Sequence, residues 1–161
     1  MALLSAVTPI RDVCFVGIDF ESAGVRQGDT DVPIQIGWGI LEHDEIDPTE
    51  FFRRYLFTNK PITWSASKVH GISAKHLEGA QRFEDLWPEL SRSLQGRVLV
   101  AHGHGTEKRF LGQFPTHNLG PWVDTLTLAR RWCGGLKSHR LGDVVTGLGL
   151  EAELRQLCPD S

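Results

Sequence analysis

One segment, residues 16–24 (Val-Gly-Ile-Asp-Phe-Glu-Ser-Ala-Gly), constrains the fold of this chain most strongly. Val16 and Ile18 lie on one face of an extended strand, and the alternation of side chains puts Asp19 and Glu21 together on the other face. Two neighbouring carboxylates repel, and burying them is costly unless a positive charge neutralises them. A divalent cation provides that charge, and oxygen ligands favour Mg²⁺ or Mn²⁺ over zinc. The segment therefore predicts either a metal-binding strand end or a solvated strand end before a glycine-containing loop.

The size and composition of the chain indicate its class. A length of 161 residues, with 40% hydrophobic and 23% charged residues, predicts a single soluble domain spanning residues 1–161. The formal net charge of −3 neither indicates nor excludes a nucleic-acid-binding groove. Cys14, Cys133 and Cys158 form no C-x-x-C pair, which predicts reduced, mostly buried thiols. No apolar run approaches the roughly 20 residues that span a bilayer, so we expect a cytoplasmic protein without a membrane segment.

The order of the predicted elements indicates the fold class. Hydrophobic alternation predicts three strands, at residues 14–20, 33–41 and 51–57. The connections between them are short, which favours an antiparallel meander. Strands and helices then alternate, with helices at 64–69, 73–77 and 83–94, a strand at 97–101, a helix at 106–114, a strand at 122–123, and helices at 125–132 and 140–148. This order predicts an α/β sandwich with a mixed central sheet.

A second group of chemically active residues follows the buried strand at 97–101. Glycines in the turn after that strand allow a close approach of the backbone to a ligand, and α/β folds place their sites at such strand ends. Glu107 falls in the first turn of the next helix, where it is either a site carboxylate or a residue favoured by the helix dipole. His102 and His104 are either turn residues or site residues, and their spacing without a nearby Cys argues against zinc.

Five segments in the same order give the chain a resemblance to a known family. It resembles the DnaQ-like 3′–5′ exonucleases of the DEDD superfamily in residues 18–24, 69–72, 99–111, 124–130 and 139–143. The resemblance implies a ribonuclease H-like three-layer sandwich whose first three strands are antiparallel and whose later strands are parallel. It also implies a phosphodiester hydrolase that releases nucleoside 5′-monophosphates from the 3′ end of DNA or RNA.

The resemblance assigns roles to individual residues. Asp19, Glu21 and Glu107 become the catalytic carboxylates and the ligands of two divalent cations, Mg²⁺ or Mn²⁺. The expected partners are single-stranded or 3′-end nucleic acid and, as a protein partner, a polymerase. Contacts with the substrate are assigned to Phe20, Ser22, His70 and His102. For His70, a position near the scissile bond and a purely helix-capping role are both open.

The chain departs from the family pattern in two places. The second-motif Asp of the family is Glu107 here, which keeps the carboxylate but places it one methylene further out. The family's third motif is a His and an Asp five positions apart, or a Tyr and an Asp, located well after the second motif. Here Asp143 follows His139 by only four positions and comes early, in a helix where Leu141, Val144, Val145 and Leu148 are expected to pack. We therefore expect the domain to lack the C-terminal helix that carries the third motif.

Three rival functions remain open at this point. One is an inactive exonuclease fold that binds nucleic acid or a protein partner. The second is another ribonuclease H-like nuclease, such as an endonuclease that uses Asp143, and the third is a phosphohydrolase that does not act on nucleic acid. Trp38 and Trp64 are candidates for stacking on bases, although packing in the core is the favoured expectation for both.

Overall fold

The computed structural model describes residues 8–26, 28–43, 45–115 and 119–157. In this part of the chain, five strands form one sheet: β1 (Phe15–Ser22), β2 (Pro33–Glu42), β3 (Glu45–Tyr55), β4 (Val98–Ala101) and β5 (Trp122–Asp124). The helices are α1 (Trp64–His70), α2 (Phe83–Leu94), α3 (Gly105–Leu111), α4 (Thr125–Trp132), α5 (Leu141–Leu148) and α6 (Glu151–Leu157). Short 3₁₀ turns cover Ile10–Asp12 and Ala74–Leu77.

The sheet has the predicted mixed topology. Its strand order is β3-β2-β1-β4-β5; β1, β2 and β3 are antiparallel neighbours, while β1, β4 and β5 run parallel. The carboxyl ends of β1, β4 and β5 therefore meet at one edge of the sheet. This edge is where α/β sheets generally place their ligands.

Strand β1 is longer than its parallel neighbour. The ladder between β1 and β4 pairs Phe15 with Val98 and ends with Gly17 opposite Val100. Residues 18–22 of β1 continue beyond it, paired with β2 alone, and α3 contacts β1. The acidic end of β1 thus projects past the end of β4 toward the segment that carries Glu107.

One face of the sheet forms the main core. Val16, Ile18 and Phe20 are buried on β1, as the alternating pattern predicted. Helix α2 covers this face with apolar residues spaced three and four positions apart, which are Phe83, Leu86, Leu90 and Leu94. Because successive side chains of a strand point to opposite faces, Asp19 and Glu21 lie on the other side of β1.

The predicted boundaries were wrong at β3 and α3. Strand β3 begins at Glu45 rather than at residue 51, because a hairpin pairs Glu42 with Glu45 and a register irregularity between Gly39 and Leu41 accommodates the polar stretch. Helix α3 ends at Leu111 rather than at residue 114, and Gly112 is its C-cap. Turn chemistry and pairing partners decide both boundaries, and neither is visible in hydrophobic spacing.

The end of the described chain also differs from expectation. Helix α6 was not predicted, and Leu141 and Leu148 of α5 are 56% and 53% exposed instead of packed. Periodicity correctly indicated a helix there but did not reveal that these two side chains lack a covering element in the described residues.

Two smaller expectations can be compared with the structure. Cys14 and Cys133 are free thiols but only half-buried, and Cys158 lies outside the described residues. No helix within the described ranges is long and apolar enough to cross a bilayer.

Candidate active site

The end of β1 supplies two of the predicted carboxylates. Asp19 lies opposite Gly37 of β2 and is exposed, while Glu21 lies opposite Gln35 and is half-buried. A register irregularity follows between Glu21 and Ser22. Since glycine has no side chain, the residue facing Asp19 leaves open space beside its carboxylate.

Helix α3 supplies the third carboxylate. The chain leaves β4 through a turn in which Gly103 has φ +86°, a left-handed conformation that glycine adopts without strain. Glu107 follows in the first turn of α3 and is only 5% exposed. The backbone N–H of Phe20 interacts with the carboxylates of both Asp19 and Glu107. The Glu107 side chain therefore reaches back to the projecting end of β1.

The three carboxyl groups have raised pKa values. Burial is the main cause in each case, and the charge of Asp19 further raises the pKa of Glu21 and of Glu107. Hydrogen bonds from the Glu107 and Phe20 backbone N–H groups partly oppose the rise at Glu107. Asp19 is electrostatically coupled to both of the others, so it occupies the central position of the group. Because Asp19 is itself exposed, the buried Glu107 carries the larger cost of ionisation.

The donor set suits hard divalent cations. Carboxylate oxygens are the ligands that Mg²⁺ and Mn²⁺ prefer, and raised pKa values indicate negative charge that is incompletely compensated. Among the described residues, however, no three His, Cys, Asp or Glu side chains are gathered closely enough to hold a metal ion. Repulsion favours such a spread arrangement, and a cation would have to draw the carboxylates together.

The predicted substrate-contacting residues at β1 have specific partners. The Phe20 side chain is buried, with its ring centroid 5.4 Å from those of Phe83 and Phe110. This leaves only its backbone for contact with a ligand. His70 Nε2 donates to the Ser22 carbonyl at 3.2 Å, and His70 Nδ1 accepts from the Ile72 N–H at 3.0 Å. His70 thereby joins the end of α1 to the end of β1 and uses both ring nitrogens to do so.

His102 is held by the protein in a similar way. Its Nε2 donates to the His139 carbonyl at 2.7 Å, and its Nδ1 lies 3.0 Å from Thr125 Oγ1. Both ring nitrogens thus have protein partners, and the ring connects the turn after β4 to the segment before α5. The assignment of His102 as a substrate contact remains a prediction.

Asp124 is a structural residue of this edge whose role was not predicted. It is the N-cap of α4, and its Oδ1 accepts from the N–H groups of Leu126 and Gly103, both at 2.9 Å. The bond to Gly103 fixes the turn that leads to Glu107. The sequence does place an Asp before a helix, which indicates a cap, but it does not reveal the second bond across 21 residues.

We expect Asp124→Ala to lower the free energy of unfolding by about 1–2 kcal/mol at neutral pH, the range of lost N-caps. Burial alone would raise the pKa of Asp124, but hydrogen bonds from Gly103, Thr127 and Leu126 outweigh it and lower the pKa below the usual 3.8. This stabilisation is therefore present above pH 4 and is lost as the pH falls through the lowered pKa. Urea unfolding should show a difference in unfolding free energy between wild type and variant, and this difference should become smaller at acidic pH.

Asp143→Ala is a suitable control because Asp143 is exposed, and we expect a change within about 0.5 kcal/mol. The capping role would be contradicted if Asp124→Ala left the free energy of unfolding unchanged, or if its loss of stability stayed the same at low pH.

The proposed substitute for the third motif does not join the carboxylate group. Asp143 is exposed in the first turn of α5, and it is not among the charges that raise the pKa values of Asp19, Glu21 and Glu107. His139 has its Nε2 3.2 Å from the Cys133 carbonyl. In the described structure, His139 lies in the loop before α5 and Asp143 lies in α5 itself.

The two candidate tryptophans behave differently. Trp38 is buried and stacks on Phe52 with centroids 5.0 Å apart, which confirms the expectation of core packing. Trp64 is 73% exposed, so that expectation was wrong for this residue. Lys68 lies over its ring, with Nζ 4.0 Å from the centroid. As the first residue of α1, Trp64 lies outside the layer that covers the core face.

A mixed sheet of this strand order, with acidic residues at the end of its central strand and in a following helix, is the arrangement of the ribonuclease H-like folds. The exonuclease family RNase T matches residues 16–154, and the chain belongs to this family. This membership confirms the exonuclease resemblance that the order of the five sequence segments predicted.

Two characterised relatives align with most of the chain. The PolC-type DNA polymerase III of Thermotoga maritima is 30% identical over 152 residues, and the 3′–5′ exonuclease DinG of Bacillus subtilis is 31% identical over 147 residues. These alignments cover 91% and 88% of this chain but only 11% and 15% of the two relatives. The chain is thus similar to a small part of each of these larger proteins.

Solved structures share the fold. Exonuclease X in complex with 5′-overhanging duplex DNA has a TM-score of 0.66 and 23% identity, over 82% of this chain and 71% of that one. The nuclease domain of 3′hExo, a DEDDh family member bound to rAMP, has a TM-score of 0.65 and 17% identity, over 88% of this chain and 82% of that one. At these identities the likeness establishes the ribonuclease H-like fold.

Proposed function

We propose that this protein is a metal-dependent 3′–5′ exonuclease that hydrolyses phosphodiester bonds of DNA or RNA and releases nucleoside 5′-monophosphates. The observation that carries the proposal is that Asp19, Glu21 and Glu107 lie at the same edge of the sheet, near enough to interact electrostatically. These carboxylates come from two segments far apart in sequence, and the charge of Asp19 acts on both of the others. Membership of the exonuclease family supports the same reaction.

The three carboxylates share one proposed role. Asp19, Glu21 and Glu107 would together hold the divalent cations, with Asp19 as the central carboxylate of the three. Bound Mg²⁺ or Mn²⁺ would activate water for attack and neutralise charge on the phosphate. The backbone at Phe20 and Ser22 would contact the terminal nucleotide, since the Phe20 side chain is committed to the core. His70 would position this backbone through its bond to the Ser22 carbonyl.

Residues 139–143 do not supply the further catalytic groups that an exonuclease of this family uses. By resemblance to the family, a His that accepts a proton from water and a fourth carboxylate complete the set.

The relatives suggest a setting for the activity. Because the similar part of the T. maritima protein belongs to a DNA polymerase, we propose that 3′ ends are the substrate and that a polymerase is a candidate partner. The exonuclease X complex contains duplex DNA with a 5′ overhang, which makes a recessed 3′ end a suitable test substrate beside a single strand.

The direct test is a nuclease assay on an oligonucleotide labelled at its 5′ end. We expect Mg²⁺ or Mn²⁺ to produce a ladder that shortens from the 3′ end with release of 5′-monophosphates, and EDTA to reduce the rate to background, because the carboxylates alone cannot neutralise the phosphate. The matched control is the same oligonucleotide with a chemically blocked 3′ end, which should stay intact. Cleavage of the blocked oligonucleotide at an unchanged rate would instead indicate an endonuclease.

A second candidate function is an exonuclease fold that binds 3′ ends without cutting them. The observation in its favour is that no three potential ligands are gathered closely in the described residues. Binding of the labelled oligonucleotide without any metal-dependent shortening would select this alternative.

A further inference from the structure

Asp31, in the loop between β1 and β2, connects two parts of the candidate site. Its side chain is only 8% exposed. One oxygen, Oδ1, accepts from the backbone N–H groups of Gly24 and Val32, each at 3.0 Å. The other, Oδ2, accepts from Arg109 Nη2 at 3.1 Å. Removing Arg109 would leave the buried Asp31 carboxylate without its charged partner, which costs free energy.

The partner of Asp31 lies beside a candidate catalytic carboxylate. Arg109 belongs to α3, two residues after Glu107, while Gly24 comes three residues after Glu21 at the end of β1. The ion pair therefore ties the segment that follows the β1 carboxylates to the helix that carries Glu107. It spans 78 positions of sequence, and it lies where β4 has already ended beside β1.

A second contact joins the same two elements on the core side. Phe110 packs edge-to-face on Phe20, with centroids 5.4 Å apart, and the Arg109 guanidinium lies 4.6 Å from the centroid of the Phe110 ring. The aromatic contact joins α3 to β1 directly, and the same Arg109 guanidinium that lies over the Phe110 ring also pairs with Asp31 in the loop after β1. Together the two contacts restrict movement of α3 along β1 as well as away from it.

We propose that the Asp31–Arg109 ion pair is a positioning device that sets the distance between the carboxylates of β1 and Glu107, and thereby the affinity of the site for divalent cations. In this proposal Arg109 acts by holding α3, and with it Glu107, and is not itself a metal ligand. The inference rests on the proposed function for its consequence, because only a shared ion makes the spacing matter. Glu107 has one methylene more than an Asp, so the helix must be held at a distance that suits the longer side chain.

The test measures Mn²⁺ binding by the electron paramagnetic resonance signal of free Mn²⁺, which needs no turnover. Removing a group that orients metal ligands typically weakens affinity 10–100-fold, and we expect Arg109→Ala to raise the Mn²⁺ dissociation constant about 10-fold. Arg109→Lys should recover part of this loss, since it restores the charge without the planar fork. Asp31→Asn, which keeps an oxygen for Gly24 and Val32, should have a similar effect to Arg109→Ala, and the double variant should be no worse than either.

The matched control is Glu89→Ala, which removes the Arg54–Glu89 ion pair at 3.0 Å between β3 and α2. It should leave Mn²⁺ affinity at the wild-type value. Equal Mn²⁺ affinity in wild type and Asp31→Asn overturns the inference, as does an equal loss in Glu89→Ala. If circular dichroism shows that Arg109→Ala is unfolded, the Mn²⁺ affinities of Asp31→Asn and Arg109→Lys serve as the test. Absence of Mn²⁺ binding by the wild-type chain overturns the proposed function, and this inference with it, whereas binding that is insensitive to the pair overturns the inference alone.

Discussion

Asp19→Asn should abolish metal-dependent nuclease activity while leaving the fold intact. Asp19 is the carboxylate coupled to both Glu21 and Glu107, so its removal affects the sites of both proposed cations. Metal ions supply several kcal/mol of transition-state stabilisation, so we expect a loss of at least about 10³-fold in rate. Single-turnover hydrolysis of a labelled oligonucleotide at saturating Mn²⁺ measures the effect.

The same substitution should not weaken the metal-free fold. Although Asp19 is exposed, the protein around its carboxylate partly desolvates it and raises its pKa, so the folded chain keeps this proton to higher pH than the unfolded chain does. Metal-free stability is therefore lost as the pH rises through the raised pKa, and a neutral Asn removes that loss. We expect an equal or higher melting temperature for the variant in EDTA at neutral pH.

Asp85→Asn is the matched control for Asp19→Asn, because Asp85 is exposed on α2, the helix that covers the core face of the sheet. It should retain wild-type activity. The assignment of Asp19 fails if Asp19→Asn keeps a rate within tenfold of wild type, or if it unfolds the metal-free chain while Asp85→Asn does not.

Gly24→Ala should produce the largest loss of stability among the single substitutions considered. Gly24 follows the acidic strand end at φ +80°, and an added Cβ would overlap Thr63 Oγ1 and lie 3.0 Å from the Ala66 Cβ. The left-handed backbone costs an L-residue about 1–2 kcal/mol, and overpacking adds about 1–3 kcal/mol. We expect a total near 3 kcal/mol, a large part of the usual 5–15 kcal/mol, measured by urea unfolding.

Gly71→Ala separates the two causes, since Gly71 has φ +70° but no atom near its Cβ position. It should lose only the backbone contribution of about 1–2 kcal/mol. Equal losses for the two variants would mean that the close approach of α1 to the β1 end carries no energetic weight.

The elements that the sequence predicts best are those with strong local patterns. Helix α2 has both predicted ends because apolar residues at helical spacing mark its buried face, and α4 has both predicted ends because glycines follow its last turn. Strand β3 and helix α6 were missed or misplaced because pairing and exposure decide them. The antiparallel-then-parallel order of the sheet followed from connection lengths and was confirmed.

At the candidate site, residue types were predictable and their partners were not. The Asp-x-Glu spacing of Asp19 and Glu21 indicated charge at a strand end from local sequence alone. The attachment of His102 to the His139 carbonyl, and of Asp31 to Arg109, joins positions 37 and 78 residues apart. Such contacts depend on how helices settle against the sheet, and no local periodicity encodes them.

The extension of β1 past β4 affects how this site can change during evolution. The acidic strand end is supported by β2 on one side only, so the sheet itself does not dictate how far Glu107 stands from Asp19. A change of acid length at position 107 therefore alters the reach of that carboxylate toward Asp19 without breaking any strand pairing of the sheet.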